Sequence, residues 1–572
     1  MCAEMTSVNE KFSERAWLPY LVLVFAGAVA YWNSFWGVFV FDEPRNIFSV
    51  AALGWQSPGW YLAGIWEPGD RRCALFLMTL IYKTWGTNPV PYHALSLIIH
   101  ILCGIQLFRV LYELFRNSTL SVSITENARG LSLVTSVLFL VHPLQTDTVT
   151  HFIQFMQALM GLFYLSALYC FIRAQSSKRP RYWITAALVL CAAGFDAKPH
   201  MLAFPMFVLL LDGILYSGKF NGALRKNAAF YIGTAMITLY QMYVLSHRIV
   251  GPGSDVGASQ MTPNLELEER MTSMMYFLSQ PRSIVHYLYL TFWPDQLCLN
   301  YAWPVARTLG EVVPYFVFVA VLFSVCILLL SRRSPLGLIG AWFFIGLSAS
   351  SSVIPRPDVV VEHRMYLPII APLIAIVLTG HEILRRNSEP KFSRRWGIAL
   401  VLTLTSALTV RTWVRNSDYY GLERMWRVTM NQAPWNAITY ANVGKALADK
   451  GNFADAIRYN HKALEVRPRF ALAHLNLGLC LSELGQTEEA IAHIEKAILS
   501  EPRNPRHSFL LARLYMNLKR PNEAAKYYEK AIALQPIAAA RVEYAKCLTQ
   551  AGRSEDAEKQ LEIANRAVKA SK

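Results

Sequence analysis

Long apolar runs recur from Ala16 to Trp413, and the basic residues gather in the short loops between them. Windows at 17–36, 92–114, 130–142, 153–173, 182–195, 199–216, 228–246, 312–331, 336–352, 366–382 and 396–413 are read as spans. A full crossing takes ~20 apolar residues, so the shorter windows leave the total of eleven provisional. With eleven spans, four basic loops fall on one face. These carry Arg173, Lys178, Arg179 and Arg181; Lys219, Arg225 and Lys226; Arg332 and Arg333; and Arg385, Arg386, Lys391, Arg394 and Arg395. Charge asymmetry of this kind marks the cytoplasmic side. The N-terminus is then inside and everything after Trp413 outside. Of the 572 residues 54% are hydrophobic and 16% charged, too apolar a balance for one soluble domain. The net charge of +16 follows from the inner loops and calls for no nucleic acid. The nine cysteines form no CxxC and no metal-like spacing, and read as small buried hydrophobes. The first run, Ala16 to Phe35, is long for a signal peptide and is expected to stay as an anchor.

The outer face receives two long segments, 37–91 and 247–311. Cys73 to Trp85 and Tyr287 to Pro294 are aromatic-rich pieces expected to lie in the membrane interface, and Leu265 to Arg270 reads as an acidic helix-like stretch. Just past the first run stand Asp42 and Glu43, between Phe41 and Pro44. An acidic pair there can act as a general base or hold a divalent cation, Mg or Mn; it can equally be a solvated turn before Pro44.

The chain from 434 to 572 carries a 34-residue period. Pro468, Pro502 and Pro536 keep it, as do Ala456, Ala490 and Ala524, and then Ala463, Ala497 and Ala531. The small-residue pairs Val443-Gly444, Leu477-Gly478 and Leu511-Ala512 hold the same phase. This is the period of the tetratricopeptide repeat, two antiparallel helices with small residues where they cross. A fourth, weaker copy with Ala545, Gly552 and Ala557 slips by one residue. The expected fold is therefore all-α: a polytopic membrane domain over 1–415, a linker over 416–433, and a helical solenoid over 434–572. The solenoid contains no nucleophile–base set, and its common use is to bind peptide.

Taken in order, Phe41-Asp42-Glu43, Arg72 ahead of Tyr92-His93 and His100, His142 to Val149, Trp293-Pro294 with Asn300 to Pro304, and Glu362-His363-Arg364-Met365-Tyr366-Leu367-Pro368 form a pattern. Together with the repeats, it resembles the GT-C glycosyltransferases. The nearest branch is that of the transmembrane and tetratricopeptide-repeat O-mannosyltransferases and their bacterial relatives. The resemblance implies transfer of a sugar from a polyprenyl-phosphate carrier to a hydroxyl outside the cytoplasm. It implies Asp42 as the base with Glu43 alongside, and Arg364, Arg72, Lys198 and His363 toward the leaving phosphate, where arginine's fork suits phosphate oxygens. His142, Asp147, Glu362, Tyr366 and His93 are further site candidates. Bland roles stand beside these: an ion pair of Arg364 with Glu362, a helix end at His142-Pro143, and polar packing of His93 and His100 on one helix face.

Three positions depart from the family's pattern: Gln154 to Gln157 opens the fourth span where arginine is usual, Pro199 follows Lys198, and Asn300 replaces an acidic residue. A catalytically silent scaffold, whose spans only place the repeats, is the reading these losses favour. A glycan- or glycolipid-modifying transferase is a third. A transporter fits poorly, since the polar residues gather at one face and no halves-related repeat is visible. The short repeat array resembles the bacterial relatives, which implies an inner-membrane protein with periplasmic repeats; in a eukaryote the same topology implies the endoplasmic reticulum with luminal repeats. The implied partners are the lipid-linked sugar, a protein or peptide acceptor held by the repeats, and the bilayer.

Overall fold

The computed structural model describes all residues except 1–15, 41–42, 44–45, 48–55, 64–70, 118, 251–270, 307, 352–354, 357, 388, 537 and 571–572. Asp42 and the stretch from Leu265 to Arg270 therefore lie outside the described residues. The described residues contain helices and turns and no strand. The chain forms two compact units: one over 1–257, 271–299 and 303–421, the other over 258–270, 300–302 and 422–572.

In the first unit the main helices are α1 (Leu18–Tyr31), α2 (Arg72–Trp85), α3 (Pro89–Phe115), α4 (Ala128–Val141), α5 (Phe155–Ser176), α6 (Pro180–Ala197), α7 (Phe204–Leu215), α8 (Ala228–Val250), α9 (Ser273–Phe292), α10 (Leu309–Ser331), α11 (Gly337–Ser348), α12 (Ile370–Asn387) and α13 (Pro390–Ser417). Each of the eleven sequence windows falls on one of them. By length and apolarity, however, five stretches among the described residues suffice to cross a membrane: Leu18–Trp36, Pro89–Phe115, Phe152–Ser176, Leu309–Ser331 and Arg394–Tyr420. A sixth is Pro199–Leu215 joined to Phe220–Lys226 through a 109° bend. The count of eleven is not reached, because helices such as α4 and α11 are too short to bridge hydrocarbon unaided.

Proline at the first turn starts α3, α6 and α13, where its missing N–H costs nothing. The centre of the unit is α5, packed on α3 and α6, with α4 against α1 and α3. Leu165, Leu168 and Phe171 of α5 are wholly buried. The opposite case is α10, which leaves Val313, Val317, Val321 and Val325 about half exposed; an apolar helix exposed this way faces lipid. At the bend after α7, Asp212 is fully buried and accepts from Ser217 Oγ (2.7 Å), Asn227 Nδ2 (2.8 Å) and the Tyr231 hydroxyl (2.8 Å), which locks the reversal.

The stretch expected as a linker over 416–433 is mostly helical. α13 runs to Ser417, and α14 (Leu422–Gln432) belongs to the second unit, with Met425 and Trp426 buried. Its amphipathic face needs a partner, which a polar linker would not. The repeats follow as four helix pairs: α15 (Ala437–Ala448) with α16 (Phe453–Val466), α17 (Ala471–Glu483) with α18 (Thr487–Ser500), α19 (Pro505–Asn517) with α20 (Pro521–Leu534), and α21 (Ala538–Gln550) with α22 (Ser554–Ala570). Ala456, Ala490 and Ala524 have no exposed surface. A Cβ on Gly478 would stand 2.5 Å from Ile494 and 2.9 Å from the Ala490 carbonyl, so the crossing tolerates only glycine there. The turn inside each pair needs a left-handed residue, supplied by Gly451, Gly485, Lys519 and Gly552 at φ of +80°, +76°, +55° and +78°. The first three keep the 34-residue step, and the fourth is one residue early, as the slipped register requires.

Candidate active site

The polar loops of the first unit converge where α4, α6 and the turn before α12 end. After α4 the chain makes a short helix, Thr146–Val149, that carries Asp147 inward with 4% of its surface exposed. Its carboxylate accepts from His363 Nδ1 (2.9 Å), the His363 backbone N–H (3.1 Å) and His151 Nδ1 (3.1 Å). Burial alone would raise the Asp147 carboxyl, but the hydrogen bonds from His151 and His363 hold it well below the usual carboxylate range. Asp147 thus fixes the Nδ1–H tautomer of His363 and leaves Nε2 as the basic atom. Burial, then nearby Lys198, pull the His363 imidazolium down to about 4, so the ring is neutral at physiological pH.

Lys198 follows α6 in an extended conformation and is 8% exposed. Its ammonium donates to Gln154 Oε1 at 2.9 Å. Burial and the neighbouring charges of Arg71, Arg356 and Arg364 draw it down to about 7, with Asp147 opposing. Arg364 is pinned by the Val359 carbonyl (2.9 Å), the Asp358 carbonyl (2.7 Å) and the Tyr276 hydroxyl (3.3 Å). His200 completes the group: it feels Lys198, Arg356, His363 and Arg364, and both its ring nitrogens are buried without a hydrogen-bond partner. Around Asp147 stand the buried Lys198 and Arg364, the half-buried Arg356 and the exposed Arg71, with the orphaned His200 imidazole; Asp358, raised by burial, lies beside Arg364 and Asp147. Such a site is made for an anion with several oxygens.

The structure sorts the sequence candidates. Lys198, His363, Arg364 and Asp147 are brought together. Arg72 is not with them: its Nη1 donates to the Trp60 carbonyl at 3.1 Å and its guanidinium lies 4.5 Å over the Trp60 ring. The neighbour Arg71, at φ +53°, is the cation that Lys198 feels. Glu43 is wholly buried and accepts from Val40 N (2.6 Å) and Ile153 N (3.1 Å), one per carboxylate oxygen. It clasps the segment after α1 to the turn ahead of α5. His142 caps, with Nδ1 accepting from Leu144 N (3.1 Å) and Nε2 donating to the Thr291 carbonyl (3.0 Å). His93 lies 3.3 Å from the Gly37 carbonyl, and Tyr366 pairs with His100 Nδ1 at 2.9 Å in the core. Tyr366 also dictates Gly161, where a Cβ would sit 2.8 Å from its ring. Glu362 accepts from Cys298 N at 2.7 Å and lies 3.9 Å from Arg415, a fully buried guanidinium that also holds Asp418 at 3.1 Å.

Arg71, Arg356, His200, His151, Asp196 and Arg415 were not legible in the sequence. Asp196 accepts from Arg72 N (3.2 Å) and Cys73 N (2.9 Å), which caps α2 from another helix and sets Arg71 beside Lys198. Only an acidic residue two positions ahead of Lys198 hinted at it. Of the departures, Gln154 now holds Lys198, and Asn300 belongs to the second unit, where it accepts from Asn436 Nδ2 at 3.1 Å. Among the described residues no three metal-type side chains gather. Of the pair named for Mg or Mn, Glu43 gives one oxygen to each of two backbone amides, and Asp42 lies outside the described residues.

A tetratricopeptide-repeat model matches residues 447–514, and a model described as anaphase-promoting complex, cyclosome, subunit 3 matches 483–564. The chain is 24% identical over 506 residues to human protein O-mannosyl-transferase TMTC4, covering 77% of this chain and 66% of that protein. It is 23% identical to human TMTC3, covering 77% and 50%, and 24% identical to Drosophila melanogaster Tmtc3, covering 79% and 56%. The chain thus spans between half and two thirds of the length of these relatives.

Proposed function

We propose, from this kinship with the transmembrane and tetratricopeptide-repeat O-mannosyltransferases, that the chain is a membrane glycosyltransferase acting on protein. Its donor is a sugar on a polyprenyl phosphate, and its site opens on the extracytoplasmic side. In a bacterium that side is the periplasm, where the repeats recruit the acceptor. The observation that carries the reading is the cation cluster of Arg71, Lys198, Arg356 and Arg364, with Lys198 and Arg364 buried, beside the Asp147–His363 pair.

In the reaction the acceptor hydroxyl attacks the anomeric carbon, the bond from that carbon to the phosphate oxygen breaks, and its electron pair leaves with the lipid phosphate. Asp42 takes the hydroxyl proton. Arg364 and Lys198 neutralise the departing oxygens, where fixed charge in a water-poor site is most effective. His363, its tautomer set by Asp147, orients a phosphate or sugar oxygen through Nε2. Glu43 holds the loop that carries Asp42. Purified protein in nanodiscs, supplied with a panel of polyprenyl-phosphate sugars, tests this. Asp42→Asn is expected to abolish transfer while donor binding survives. Turnover unchanged in Asp42→Asn refutes the base assignment. Absence of both donor binding and turnover in the wild type favours the silent scaffold, a reading supported by the neutral Gln154 holding Lys198.

A further inference from the structure

Within the first unit, α3, α7, α11 and α12 leave a cleft of about 90 Å³ between them. Leu111, Leu211, Ile339 and Ile374 line it, and the other lining side chains are apolar too. Their one polar atom, Trp342 Nε1, is turned to the Leu367 carbonyl at 2.8 Å. A cavity without polar partners stays dry and is open to an apolar occupant. Along the helices the cleft runs from Phe207 and Ile370 toward Leu215, Leu336 and Leu378. Polar ties hold the walls at this second end: Asn117 Nδ2 donates to the Leu215 carbonyl (3.4 Å), Arg333 donates to the Gly218 carbonyl, and Ser123 Oγ lies 2.9 Å from His381 Nε2. Leu336 is 54% exposed here, so the cleft opens at this end. The exposed Arg116, Lys219, Arg332 and Arg333 stand within four positions of the lining residues Phe115, Leu215 and Pro335.

We propose that this cleft seats an acyl chain of an anionic phospholipid, whose headgroup phosphate meets Arg116, Arg332 and Arg333. The proposal rests on the unit lying in a bilayer and is otherwise independent of sugar transfer. Arginine's fork suits phosphate oxygens, and basic pockets between spans take anionic headgroups. A neutral lipid would fill the cleft and leave these charges unanswered. The carboxylates of the walls have their own partners: Glu113 holds Arg173 (3.1 Å), Asp212 holds Asn227 and Tyr231, and Glu382 holds Arg385 (2.9 Å) and Arg386 (2.5 Å). Among the described residues of these segments, that leaves the exposed Glu126 to offset the basic end. The occupant is not the donor lipid. Lys198, assigned above to the donor phosphate, precedes α7, whereas the basic end lies past Leu215. The 12 residues of α7 set those two ends ~18 Å apart, and one lipid phosphate does not serve both. The seated chain fills the space between four helices, so binding stabilises the folded unit by mass action.

The full-length protein, delipidated in detergent, is given an equimolar mixture of palmitoyl-oleoyl phosphatidylglycerol and the matching phosphatidylcholine and examined by native mass spectrometry. The wild type is expected to retain phosphatidylglycerol with several-fold preference, and its melting midpoint to rise with that lipid. Ile339→Trp fills the cleft and is expected to lose the retained lipid. Arg332→Gln combined with Arg333→Gln is expected to lose the preference. Phosphatidylglycerol carrying a diazirine at the end of one acyl chain is expected to label α11 or α12 of the wild type at cleft residues. Retention of neither lipid, or of both equally, by the wild type overturns the proposal. So does label confined to residues outside the cleft, a result that needs no variant to fold. Added polyprenyl phosphate displacing phosphatidylglycerol from the cleft also overturns it and gives the cleft to the donor. None of these readouts involves turnover, so a failure of the transferase reading leaves them unchanged.

Discussion

Lys198 ties the electrostatics of the site to a pH dependence with a definite sign. Its ammonium sits at about 7 because burial and the cations Arg71, Arg356 and Arg364 oppose its charge. A phosphodiester donor keeps its own charge from pH 5 to 9, and His363, at about 4, stays neutral through that window. If the donor binds only protonated Lys198, the apparent Kd rises as pH passes through 7. The protonated fraction falls about tenfold between pH 6 and pH 8, so donor affinity weakens about tenfold over the same interval. Lys198→Arg places a permanent charge there and removes the slope. Lys198→Met binds weakly at both ends and is flat. Titration of a short-chain polyprenyl-phosphate sugar into nanodisc-embedded protein at five pH values reads all three. A flat wild-type profile, or the same slope in Lys198→Arg, refutes the assignment of Lys198 to the phosphate.

Three other perturbations have expected outcomes. Glu43→Ala strips acceptors from two buried amides, Val40 N and Ile153 N, at about 1–3 kcal/mol each, and lowers the thermal midpoint of the membrane unit. Arg415→Met leaves Glu362 and Asp418 without their buried cation and costs about 3–5 kcal/mol, seen as early unfolding in denaturant. Gly478→Ala forces a methyl against the Ala490 carbonyl and Ile494; about 1–3 kcal/mol of overpacking exceeds the ~1 kcal/mol gained in helix propensity, so the repeat unit melts earlier.

The sequence reached different depths in the two units. In the repeats, the 34-residue step already named the helix pairs, the small residues at the crossings and even the slipped fourth copy, because each repeat packs only on its neighbours and local pattern is the whole instruction. In the membrane unit the windows found the helices, but Arg72 was chosen where Arg71 stands by Lys198. Nothing local to Arg71-Arg72 could settle that: Asp196, 124 residues away, accepts from the Arg72 amide at the start of α2, and the buried Arg72 goes to Trp60 while the exposed Arg71 is the charge Lys198 feels. Glu43 likewise read as chemistry beside Asp42, yet its oxygens hold the amides of Val40 and Ile153.

What the sequence by itself determined was thus the periodic and the compositional: apolar runs of helical length, basic loops between them, and a solenoid of stated period. What tertiary structure decided was which charges meet. Lys198, Asp147, His363 and Arg364 lie on separate segments, and His200 and Arg356 join them only when those segments close on one another. Charge partners in a buried site are chosen by distance in space, and a one-dimensional pattern carries no record of that distance.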